Sequence, residues 1–214
     1  MQLFFMPQPS RESPPMFESP FIDQFSRTHW SMVPVLFVPA MLACLYIGFV
    51  HMDVSWSGAL VSMFFGGLTW TLTEYWLHRL LFHWEPAGKF GERMHFVLHG
   101  VHHKWPRDRL RLVMPTMVSI GLFWVFLGLW LLFFGRYAYT FHAGFAIGYM
   151  FYDLSHYYMH HGRPRWNWLK ELRKHHMVHH SPKHAHETKF GVSTTLWDHV
   201  FGTYGSKELK ETEA

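Results

Sequence analysis

The chain has 214 residues, 49% of them hydrophobic and 19% aromatic, with 19 His, one Cys and a formal net charge of +4. The single cysteine, Cys44, excludes an internal disulfide framework and four-cysteine zinc ribbons, so any metal chemistry must rely mainly on nitrogen and oxygen ligands. The positive charge is not gathered into a tract; Lys and Arg are interleaved with Trp, Phe and His, which argues against nucleic acid as a partner.

Residues 1–30 carry several Pro and Ser and read as an extended or surface-lying arm, without the basic start and small-residue cleavage site of a signal peptide. The character then changes. VPVLFVPAMLACLYIGFV (33–50) has no charge, and WSGALVSMFFGGLTWTLT (56–73) follows after a loop whose only acid is Asp53. PTMVSIGLFWVFLGLWLLFFG (115–135) and YAYTFHAGFAIGYMFY (137–152) form a second pair around Arg136. These runs approach bilayer-spanning length, which favours membrane helices over four buried helices of a soluble protein. The expected fold is therefore all-α, an integral membrane protein with four transmembrane helices in two hairpins and a His-rich helical cap. Pro34 and Pro39 are expected to kink the first helix or end its first turn. The expected division is an arm at 1–30, a membrane domain with its cap at 31–204, and a tail at 205–214.

Of the 19 Lys and Arg, seven lie in 78–115, nine in 161–214 and two in the arm, leaving only Arg136 for the opposite side. By the positive-inside rule the cap and both termini are cytoplasmic.

The histidines fall into four groups in that cap: HRLLFH (His78, His83), HGVHH (His99, His102, His103), HYYMH (His156, His160) and HMVHH (His176, His179, His180). The last belongs to RKHHMVHHSPKHAH (173–186), where Arg173 and Lys174 would repel protonated rings, so neutral, metal-binding imidazoles make better sense of it. Residues at i, i+3 and i+4 share a helical face, so HGVHH and HMVHH are each expected to project three rings in one direction. His78 and His83 are about 140° apart on an ideal helix, so the helix is expected to end, bend or widen near Leu81. Of the remaining nine histidines, which read as packing or hydrogen-bonding residues, His95 and His184 stand nearest to being additional ligands.

Ten imidazoles suit two metal ions of about five ligands each, with an open position at one or both; a structural zinc is closed at four. Imidazole suits iron, zinc, copper and nickel alike. A site at the membrane surface calls for a lipid substrate, and attack on an unreactive C–H bond by activated O2 at a di-iron centre is the chemistry that best explains so many ligands.

The order of these groups, with LHGVHHKWPRDRLRLVMP, GYMFYDLSHYYMHHG and WLKELRKHHMVHHSPKHAHETKFGVSTTLWDHVFGTY, resembles the fatty acid 2-hydroxylase branch of the fatty acid hydroxylase/sterol desaturase superfamily over about residues 70 to 204. The resemblance implies a membrane di-metal monooxygenase that hydroxylates carbon 2 of a long or very-long-chain acyl group, often one destined for sphingolipid. It also implies that the ten histidines named above are the ligands. Many members carry a cytochrome b-type haem domain, for which the arm is too short, so electrons are expected from a separate electron-transfer protein. Protein made without iron control is expected to carry zinc. A related oxidase acting on a sterol or carotenoid, or a non-enzymatic metal carrier, remains the alternative.

Metal-bound His usually donates its other ring N–H to a carboxylate or carbonyl, and Glu74, Asp153 and Asp198 are placed for this. Each could equally be a solvated or salt-bridged acid. Lys104, Arg107 and Lys183 are candidates to hold the polar head of the substrate, and Tyr157 and Trp197 either line its path or mark the interface.

Overall fold

Uncharged runs of this length satisfy their backbone groups only by coiling, and the computed structural model describes residues 13–181 and 187–205 as helices joined by turns, with no strand among them. The helices are α1 (Pro20–Gln24), α2 (Met32–Tyr46), α3 (Trp56–Trp76), α4 (Gly88–His95), α5 (Val101–Lys104), α6 (Thr116–Phe134), α7 (Ala138–His161), α8 (Asn167–His179) and α9 (Leu196–Val200).

Neither proline ends α2. Pro34 sits in the first turn, where an N–H has no intrahelical partner in any case, and the helix runs through Pro39 to Tyr46 before widening into a π turn at Ile47–His51. Among the described residues two stretches, Met32–His51 and Thr116–His161, are long and apolar enough to cross a membrane. The second is broken at the 3-10 turn Gly135–Tyr137 between α6 and α7. The expectation of four spans therefore keeps its four long helices, but α3, with its Ser, Thr and Gly, does not meet that test, and α7 meets it only as part of the stretch that it shares with α6. Large apolar side chains face outward on the long helices, among them Val35 on α2, Phe64 on α3 and Leu132 on α6, the last 79% exposed. A surface of that kind is stable against lipid and costly against water.

The buried helix is α7. It packs against α2, α3 and α6, and Trp70, Phe145, Tyr149 and Tyr152 meet in the core around it. Glycines set its closest approach: a Cβ on Gly144 would lie 2.0 Å from the carbonyl oxygen of Met63, and one on Gly66 2.0 Å from that of Phe141. Small residues at a crossing are how helices gain dispersion contact when lipid removes the hydrophobic drive between them. Ser62 and Thr140 add a hydrogen bond of 2.7 Å beside it.

The described part of the arm is tied in rather than lying free. Asp23, buried in α1, accepts from the amides of Met16 and Phe17 and pairs with Arg27 (2.8 Å) and Arg111 (3.0 Å). Arg111 also reaches Asp108, so two cations and two acids, all buried except half-exposed Arg27, close a neutral cluster joining the arm to the chain before α6.

Candidate metal centre

Helix α8 answers the problem of basic residues beside histidines. Leu169, Leu172, His176 and His179 turn inward at helical spacing, while Lys170 and Lys174 stay at the surface. The end of α7 brings His156 and His160 to the same place.

His78 and His83 meet because the chain widens after α3 into a π turn over Leu77–Phe82, where the amide of His83 bonds the carbonyl of His78 at 3.3 Å. That five-residue closure puts both rings on one side. A further π turn, Phe96–Gly100, carries His99.

The ten imidazoles fall into two sets of five: His78, His83, His99, His103 and His179 in one, His102, His156, His160, His176 and His180 in the other. Within each set the candidate ligand nitrogens all lie within 4.8 Å of one another. In the first set Nε2 of His99 is 3.1 Å from that of His78 and 2.9 Å from that of His103, and His83 Nε2 is 3.0 Å from that of His179. In the second, His102 and His156 approach to 3.0 Å and His160 and His176 to 2.9 Å. The sets abut, since the His103 ring stacks on His180 with centroids 4.3 Å apart.

HGVHH and HMVHH do not each aim three rings one way. His99 and His103 go to the first set and His102 to the second; His176 and His180 go to the second and His179 to the first. Adjacent helical residues point about 100° apart, so each short helix serves a centre on either side of it.

The ring nitrogens fit a cation. His78 Nδ1 donates to the carbonyl of Phe190 (2.5 Å) and His179 Nδ1 to that of Thr188 (2.9 Å), which leaves each Nε2 an unprotonated lone pair facing its set. Burial, reinforced by the surrounding rings, pushes His99, His102, His103, His176 and His179 well below the usual imidazole range, and burial brings His78 down to about 4 and His180 to about 3. Lone pairs facing one another at these distances repel unless a positive ion lies between them. Ligands on opposite sides of an ion with metal–nitrogen bonds near 2.05 Å are about 4.1 Å apart, which the observed spread accommodates.

The carboxylates do not take ring protons from these ten histidines as the sequence spacing suggested. Glu74 faces the same way as His78 but accepts from the amides of Val192 and Ser193 and the hydroxyl of Ser193. Asp198 accepts from the amides of Phe190 and Gly191, from Thr203 Oγ1 and from Nε2 of His175, a histidine outside both sets. Asp153 accepts from Tyr149 Oη (2.7 Å) and the amide of Met114. His95 is buried beside Glu85, with its ring 6.3 Å from that of His83, and belongs to neither set. His184, His186 and Lys183 lie outside the described residues.

A cavity of ≈ 290 Å3 runs from the arm to the histidines. Phe25, Phe82, Leu98 and Val118 supply apolar wall, and His99 of one set and His102 and His156 of the other line it. Lys104, stacked 4.8 Å over Trp105, and exposed Arg107 stand outside this wall. The cation that does line it is Arg111, already matched by Asp23 and Asp108. Nothing local in the sequence distinguishes Arg111 from its basic neighbours, because Asp108 is as near in sequence to Arg107 and Arg109, and the partner that sets Arg111 apart, Asp23, is 88 residues away. Trp197 donates to Thr71 Oγ1, and Tyr157 packs between Trp30 and His161, so neither lines the cavity.

The family model described as fatty acid hydroxylase matches residues 63–203. The chain is 39% identical over 193 residues to the dihydroceramide fatty acyl 2-hydroxylase FAH2 of Arabidopsis thaliana, covering 90% of this chain and 80% of that protein. It is 37% identical over 203 residues to the ceramide very long chain fatty acid hydroxylase scs7 of Schizosaccharomyces pombe, and 37% over 212 residues to the fatty acid 2-hydroxylase of Rattus norvegicus. These alignments take in 90% and 88% of this chain but only 55% and 56% of those longer proteins. Among solved structures, full-length scs7p, in which only the hydroxylase domain is visible, superposes with a TM-score of 0.79 at 35% identity, over 87% of this chain and 70% of that one.

Proposed function

The chain belongs to the fatty acid hydroxylase family, and on that premise we propose that it is an O2-dependent oxidoreductase placing a hydroxyl group on carbon 2 of a long acyl chain of the sphingolipid type. The observation that carries this reading is the meeting of the two five-histidine sets at one apolar cavity. Two iron ions held by these sets would supply the O2 activation that an unreactive C–H bond requires. Imidazole alone does not select iron, and zinc is the expected occupant of protein prepared without iron control. The balance needs an electron donor, since one oxygen atom enters the C–H bond and the other leaves as water.

The protein's own side chains do the rest. Phe82, Leu98 and Val118 line the acyl path, exclude water and hold the chain in register. His99, His102 and His156 bring both sets to the cavity wall, so the carbon lying there faces both. Asp153 and Tyr149 fix the chain at Met114, and the Arg111 cluster fixes the arm, so two walls of the cavity are held by buried polar contacts.

Expression of the chain in a host without 2-hydroxy acyl lipids, followed by mass spectrometry of hydrolysed lipid, should reveal 2-hydroxy fatty acids. Hydroxylated sterol or carotenoid with unaltered acyl chains would transfer the assignment to another oxidase.

In the membrane, α2, α3, α6 and α7 make four spans with the histidine cap and both ends of the chain on the cytoplasmic side, as the Lys and Arg distribution favours. Cys44 is buried and gives a low background for thiol labelling. An impermeant maleimide should reach Arg136→Cys from the non-cytoplasmic side and Lys104→Cys only after the membrane is opened. Labelling of both from the same side would sink the four-span arrangement.

A further inference from the structure

We propose that Glu74 and Asp198 are positioning residues for the first five-histidine set alone, acting through the chain segment 188–193 whose carbonyl groups orient His78 and His179. Glu74 is 3% exposed and Asp198 fully buried. Between them they take four consecutive backbone N–H groups: Asp198 those of Phe190 and Gly191, both at 2.9 Å, and Glu74 those of Val192 and Ser193, both at 2.7 Å.

A non-repetitive segment has no regular ladder to hold it, so these two acids determine where it lies. Its carbonyls at Thr188 and Phe190 receive the Nδ1–H of His179 and His78. Both rings belong to the first set, and no member of the second set bonds to this segment among the described contacts. Gly191 leaves no slack, because a Cβ there would stand 2.1 Å from the Thr194 carbonyl oxygen and 2.8 Å from Asp198 Oδ2. If the acids only satisfied buried amides, their removal would weaken the fold without preferring either set.

The inference rests on each set holding one ion, so the test reads metal directly. Purified protein is loaded with zinc, passed through a desalting column and analysed for metal per chain and for monodispersity. Wild type should retain an ion at each set. Glu74→Leu and Asp198→Asn should weaken the first set by about 10–100-fold, the usual loss when an outer contact to a ligand is removed, and leave the second set loaded.

Glu74→Gln should behave as wild type, because its amide oxygen still accepts both N–H groups and its NH2 can donate to the Ser193 hydroxyl. Asp198→Asn has no such escape, since both of its oxygens accept from backbone amides. In a background lacking His102 and His156, Glu74→Leu should remove the remaining ion; in one lacking His83 and His99 it should remove nothing further. Should Glu74→Leu fail to fold, Gly191→Ala and Thr203→Val disturb the same clamp without altering charge and should show the same selective loss.

Equal weakening of both sets, full retention by these variants, or loss in Glu74→Gln as great as in Glu74→Leu would each overturn the proposal. Wild-type protein that takes up no ion at either set would instead overturn the metal reading on which the proposal stands.

Discussion

His102→Ala and His179→Ala should each abolish incorporation of labelled O2 into the 2-hydroxy product, a fall of at least about a hundredfold, while the protein remains in the membrane. The two residues test different centres. His102 approaches His156 at 3.0 Å in the second set, whereas His179 lies 3.0 Å from His83 in the first and is oriented by the Thr188 carbonyl. Removing either leaves a buried gap among rings already neutral, so no new charge is stranded and the long helices have no reason to separate. Gas chromatography with mass spectrometry of the acyl products after incubation under labelled oxygen reads the outcome. Label in a chain-terminal position, or label derived from water, would end the 2-hydroxylase reading. Wild-type activity in either variant would remove that residue from the site.

Metal-stripped protein should lose stability steadily as pH falls below about 6.5, and metal-loaded protein should resist that loss. Burial lowers the imidazole of His78 to about 4 and that of His180 to about 3. A folded-state pKa below the unfolded value means that the unfolded chain binds more protons between the two, so stability rises with pH across that window and falls on acidification. For His78 alone the full effect is on the order of 3 kcal/mol. A bound ion occupies the same lone pairs and stabilises the folded state by mass action, so adding a chelator at neutral pH should also lower the melting temperature. Thermal scans of stripped and loaded protein from pH 7.5 to 5 make the comparison. A stripped protein whose melting temperature stays flat or rises on acidification would contradict convergent neutral imidazoles.

The sequence spelled out the four long helices and the ten histidines because both depend on local order: unbroken apolar runs for the first, short repeated spacings for the second. It could not show how the histidines divide. HGVHH and HMVHH share one histidine spacing, yet the first gives two rings to one centre and the second gives two rings to the other. That choice depends on where each helix lies relative to both centres.

The His78–His83 pair was legible as a departure from a 3.6-residue period, and the chain resolves it by widening instead of stopping. The acids were legible as buried partners of the site but not by role. Glu74 sits one turn from His78, yet it meets residues 192 and 193, more than a hundred positions further on. For the same reason the Asp23–Arg111 pair and the cavity it helps to wall have no local signature.

The glycine crossing of α3 and α7 makes the centre sensitive to something far from it. Gly144 and His156 are twelve residues apart on one unbroken helix, a lever of about 18 Å. If α7 swings by about 3° on that fulcrum, His156 moves by about 1 Å, a displacement large enough to cost about a hundredfold in a reaction that depends on alignment. Helices adjust their tilt to the thickness of the bilayer around them. With α7 spanning the bilayer as proposed, the length of the surrounding lipid tails should act as a control on rate, distinct from the lipid proposed to enter the cavity as substrate.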